Sequence, residues 1–121
     1  MKKSIPENFK KTFKELILEV IALFALVFLM AFFWQNNTLL TSIFVIIAVV
    51  VLTFLKNKSD ILLFLIATIF FQIGEIILSR FGAWTYNNPS FLGIPIWISL
   101  SWGFSALIIK RLSESIKKLF D

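Results

Sequence analysis

The chain has 121 residues, of which 59% are hydrophobic and 16% charged, with a formal net charge of +5. A soluble domain this small cannot hide so much apolar surface from water, so a water-soluble globule is excluded and a bilayer is the expected solvent. The absence of cysteine and histidine removes disulfides, thiol chemistry, zinc sites, iron–sulfur clusters and His- or Cys-ligated haem, and no metal or cofactor is expected.

A hydrocarbon core about 30 Å thick takes about 20 apolar helical residues, and four runs meet that need. They are helices because backbone polar groups in lipid must be satisfied within the segment. None shows the apolar–polar alternation of a transmembrane barrel strand. Residues 1–15 precede the first run. Ser4, Pro6 and Glu7 form a helix-start signal, and Phe9, Phe13 and Leu16 recur at helical spacing between lysines. That pattern predicts a short amphipathic helix on the inner membrane surface.

The first span is 16–34. It ends in Phe32, Phe33 and Trp34, unlike a small-residue cleavage site, and is read as a retained span. Glu15 and Glu19 share a face near Lys11 and Lys14 and read as an ion-pair patch at the interface, with Glu19 a secondary candidate for a functional acid. The second span, 39–55, carries only Thr41, Ser42 and Thr53 as polar residues and reads as scaffold. The third and fourth spans are 61–79 and 91–109. The basic tail, 110–121, repeats the amphipathic pattern with Leu112, Ile116 and Leu119 beside Lys117 and Lys118, and is expected to continue the fourth helix.

Every lysine and arginine except Arg80 lies in the N-terminal segment, the loop between spans two and three, or the tail. The positive-inside rule then puts both termini in the cytoplasm. The predicted class is an all-α integral membrane protein, a bundle of four transmembrane helices with N-in/C-in topology, expected in a prokaryotic plasma membrane. The basic residues flank apolar runs and so read as anchors to membrane lipids, with no nucleic-acid partner.

Polar residues inside a span are costly and point toward protein or water. In the third span Thr68, Gln72, Glu75 and Ser79 fall on one helical face. Glu75 is the only ionisable member of that stripe, about 21 Å along the helix from Ile61. Gly74 beside it reads as a close-packing position. The following loop, 80–95, is broken by Gly82, Pro89, Gly93 and Pro95 and carries Trp84 and Tyr86 at the level of an interfacial aromatic belt. The fourth span adds Trp97, Ser101, Trp102 and Ser105, the two serines spaced to bond across helices. Helical phase predicts a substrate-binding cavity between spans three and four, with Glu75 as the catalytic candidate and Gln72, Trp84, Tyr86, Trp97, Ser101 and Trp102 as its lining.

The string Glu75, Phe81-Gly82-x-Trp84-x-Tyr86, Gly93-x-Pro95-x-Trp97 and Trp102 resembles the membrane-embedded carotenoid biosynthesis proteins of the carotenoid hydratase type. The resemblance implies acid-assisted addition of water to a polyene or isoprenoid double bond. Glu75 would be the acid, and Tyr86 and the tryptophans would stack on the apolar substrate. The same resemblance fits a relative that only binds lipid. Two further readings accompany it. Small multidrug transporters and fluoride channels share this length and span count, so a dimeric transporter or channel is one alternative. An accessory subunit of a larger membrane complex is the other. Four helices enclose little space, so a homo-oligomer or a membrane-protein partner is expected.

Overall fold

The computed structural model describes residues 7–120. The elements are four helices, α1 (Glu7–Phe33), α2 (Asn37–Leu55), α3 (Lys58–Arg80) and α4 (Trp97–Phe120). Of these, α1, α2 and α3 are each long and apolar enough to cross a membrane. The apolar part of α4, 97–109, is followed by Lys110, Arg111 and Glu114 within the same helix.

Local chemistry sets each boundary. Neither glycine nor proline occurs between Glu7 and Phe33, so the amphipathic stretch from Glu7 and the first span form one unbroken helix rather than a surface helix and a span. Residues 1–6 lie outside the described residues. Asn36 caps α2 by accepting from the Leu39 N–H at 3.0 Å, and Asn57 caps α3 by accepting from Ser59 N–H at 2.9 Å. These side chains satisfy amides that a helix start leaves open. α3 ends in a paired 5→2 and 6→1 closure, Gly82 N–H to Ser79 carbonyl and Ala83 N–H to Leu78 carbonyl. That closure requires a left-handed residue, and Gly82 supplies it at φ +81°.

The fourth helix begins at Trp97, six residues later than the apolar run. Phe91 and Ile94 exchange two backbone hydrogen bonds around Leu92 and Gly93, both at positive φ. This is the geometry of a two-residue hairpin turn. Pro95 then holds Ile94 out of helical space, and Ser90 Oγ accepts from the Ile96 N–H at 2.9 Å. An apolar run alone cannot be helical across Gly93-x-Pro95.

α4 runs antiparallel to α3 and packs against all three other helices, while α1 and α3 do not meet among the described residues. α3 and α4 pack tightly at Gly103, where an added Cβ would overlap Thr68 Oγ1 and lie 2.6 Å from Cε2 of Phe64. Gly74, by contrast, has nothing near it, so the close-packing glycine is Gly103. Phe104 sits between Phe44 and Phe64 in edge-on contact, centroids 5.5 and 5.3 Å away. Leu40 and Phe44 are fully buried beside it. On the outward face of α1, Phe24, Phe28 and Phe32 are 56%, 56% and 76% exposed. Such a surface is stable only against an apolar solvent, so the chain is a membrane protein.

Two polar clusters close the ends of the bundle. At one end, the fully buried Asp60 carboxylate bonds Lys110 and, at 2.7 Å, Arg111. At the other, Asn88 ties the loop between α3 and α4 to the α1–α2 turn. Its amide donates to the carbonyls of Trp34 and Gln35, and its own carbonyl accepts from Asn37.

Candidate functional site

Glu75 is buried, 5% exposed, on the face of α3 that meets α4. Its carboxylate accepts three hydrogen bonds. Trp102 Nε1 on α4 donates to Oε1 at 3.0 Å, Trp84 Nε1 donates to Oε2 at 3.0 Å, and Tyr86 Oη donates to Oε2 at 2.6 Å. The closure at Gly82 turns the chain back on itself, which brings Trp84 and Tyr86 within reach of a residue one to two turns below the helix end. Phe71, one turn before Glu75, stacks on Trp102 with centroids 4.5 Å apart at 17° and fixes that indole's orientation.

The other residues expected here make no hydrogen bond to Glu75. Trp97 is buried but donates to Asn37 Oδ1 at 2.9 Å, across to α2. Ser101 donates to the Ile98 carbonyl and Ser105 to the Ser101 carbonyl, within their own helix. A serine hydroxyl reaches the open carbonyl of the preceding turn more readily than a partner across an apolar contact. Gln72 is half-buried and does not bond the carboxylate. Phe71 is the member that sequence reasoning missed; its spacing of four from Glu75 was the available signal.

An indole N–H can only donate. One faces each oxygen of Glu75, so the carboxylate acts as an acceptor toward its own protein on both sides. Burial pushes the Tyr86 phenol above its ordinary value, and its bond to Glu75 adds to that. Tyr86 therefore stays a donor. Such hydrogen bonds to a carboxylate stabilise by about 1.5–3 kcal/mol each. The arrangement pins the outer loop over the end of the α3–α4 contact.

A larger cleft lies elsewhere, about 490 Å³ between α1, α2 and α4. Its walls include Leu18, Ala22, Ala25 and Leu26 of α1, Ile47 and Val51 of α2, and Phe104 and Leu107 of α4. Among the described residues Glu19 and Arg111 are its only charged lining residues. A second cavity of about 330 Å³ shares Leu18, Glu19 and Arg111 with it and adds Glu15, Glu114, Ser115 and Lys118. The cleft thus opens at one end into a mouth of mixed charge. A smaller hollow of about 240 Å³ lies under the outer loop, between Trp34, Tyr86, Asn88 and Trp97. Among the described residues no group of His, Cys, Asp or Glu could hold a metal ion.

Comparison with protein-family models, curated proteins and solved structures finds no match for this chain.

Proposed function

We propose that this chain is a four-span membrane protein that holds the apolar chain of a membrane-borne amphiphile, of the lipid or isoprenoid class, in the cleft between α1, α2 and α4. The supporting observation is the cleft itself. Its volume is that of a ligand site, its walls come from three helices, and they are apolar except at one end. Measured along α1 from Glu19 to Leu29, it is about 15 Å deep at 1.5 Å per residue, half of a hydrocarbon core of about 30 Å. That is the depth of one leaflet, so a chain entering from the membrane fills it without leaving lipid.

The fourth crossing rests on registry. α4 bonds α3 at Asp60 through Arg111 and at Glu75 through Trp102, so its apolar part runs alongside the span of α3 between those two residues. The basic residues at Lys10, Lys11, Lys56, Lys58, Lys110 and Arg111 then favour one side, the cytoplasm, for both termini. In this reading Glu75, Trp84, Tyr86 and Trp102 form a staple that holds the outer loop. A hydration acid must deliver a proton to its substrate, whereas each oxygen of Glu75 is occupied by a donor from its own fold.

The test is native mass spectrometry of protein released from membranes in mild detergent. A retained lipid or isoprenoid is expected, and Ala25→Trp, which fills the cleft from its wall, should abolish retention while Glu75→Gln preserves it. Equal retention by parent and Ala25→Trp would overturn the assignment of the cleft.

A further inference from the structure

The proposed cleft reading leaves the ligand's head group open, and the mouth of the cleft specifies it. Among the described residues Glu19 has no cation within ion-pair distance. The Ser115 hydroxyl donates to it at 2.5 Å, and Ser115 is itself buried. Among the described residues Glu15 also makes no ion pair, and on the opposite side neither does Lys118. Arg111 uses Nη2 for Asp60 and keeps the remaining donors of its guanidinium fork. Glu114 lies 4.0 Å from Lys110, at the limit of pairing. The mouth therefore presents charge of both signs, carboxylates from α1 and cationic groups from α4, across the opening of an apolar slot.

We infer that the cleft selects a zwitterionic lipid with a primary ammonium, an aminophospholipid of the phosphatidylethanolamine type. The phosphate lies against Arg111 and Lys118, the ammonium against Glu19 and Glu15, and one acyl chain fills the slot. A purely anionic head would meet Glu15, Glu19 and Glu114; a purely cationic one would meet Arg111 and Lys118. A primary ammonium carries three N–H donors for carboxylates, whereas a quaternary one carries none, so the choline analogue fits less well. The one-leaflet depth of the slot matches a single chain entering from the side where the mouth lies.

This rests on the cleft reading, and the experiment separates the two. Delipidated protein in detergent is titrated with phosphatidylethanolamine, phosphatidylcholine and phosphatidylglycerol of identical acyl chains, with bound lipid counted by native mass spectrometry. Ethanolamine lipid should bind roughly tenfold tighter than glycerol lipid, the size of one charge-assisted hydrogen bond. Glu19→Gln, which keeps an oxygen for Ser115, should remove that preference without weakening the glycerol lipid. Lys118→Gln should weaken all three lipids together. Equal affinity of the parent for the three overturns the head-group assignment and leaves the cleft standing. Binding of none of them, in a protein whose unfolding transition is intact, overturns both.

Discussion

Replacing Glu75 with leucine removes the acceptor on which the outer loop closes. Leucine fills similar space but leaves Trp84, Tyr86 and Trp102 with nowhere to donate. Trp84 is 44% exposed and can turn to water, so two stranded donors remain, Tyr86 and Trp102. A stranded buried donor costs about 1–3 kcal/mol, and these two half-buried ones fall within that range. Relief from burying a carboxylate offsets part of that, so the expected loss is about 3 kcal/mol. On a chain this size that corresponds to a fall in apparent Tm of about 10 °C. Glu75→Gln keeps one acceptor oxygen but turns an amide N–H2 toward an indole N–H, and should lose about half as much. Thermal unfolding in detergent followed by tryptophan fluorescence reads the loss. Hydrogen exchange over residues 81–96 reads its location, because only the loop should open in the glutamine variant. A leucine variant as stable as the parent, with loop exchange unchanged, would refute the staple.

Three further outcomes follow from the same structure. Gly103→Val places a side chain on Thr68 and Phe64 and should cost about 3 kcal/mol by overpacking, whereas Gly74→Ala, with nothing nearby, should be neutral or stabilise by up to about 1 kcal/mol; the two melting temperatures decide it. Asp60→Asn leaves Lys110 and Arg111 facing each other, and because their side chains are 30% and 43% exposed the loss should be about 2 kcal/mol, short of the 3–5 kcal/mol typical of a fully buried pair. Tyr86, the one tyrosine of the chain, titrates above its ordinary value of about 10 because it is partly desolvated and bonded to Glu75. Above pH 10 the unfolded chain therefore releases the phenol proton before the folded one, so stability falls as pH rises. Tyr86→Phe should flatten that fall, measured as unfolding midpoints at pH 9 and 11.

The helices and the membrane were decided by the sequence. A run such as 39–55 has no polar partner to offer and must satisfy its backbone internally, whatever surrounds it. The residues that meet at Glu75 were partly legible, because a stripe at three- and four-residue spacing points one way and a loop of Trp84 and Tyr86 follows within reach. Tertiary structure decided the rest. Trp97, close in sequence to the loop, bonds Asn37 on α2 instead, since the crossing of α4 over α2 places that amide nearer than Glu75. Gly103 and Gly74 look alike as letters, and only the line of contact between α3 and α4 says which one lacks room for a Cβ. The cleft had no motif at all. Its walls are ordinary apolar residues of three helices, and the space lies where α1, α2 and α4 meet, a relation among segments far apart in the chain that no local periodicity encodes. What a residue is, and how it repeats, fixes a helix; which atom it faces is fixed by how helices pack.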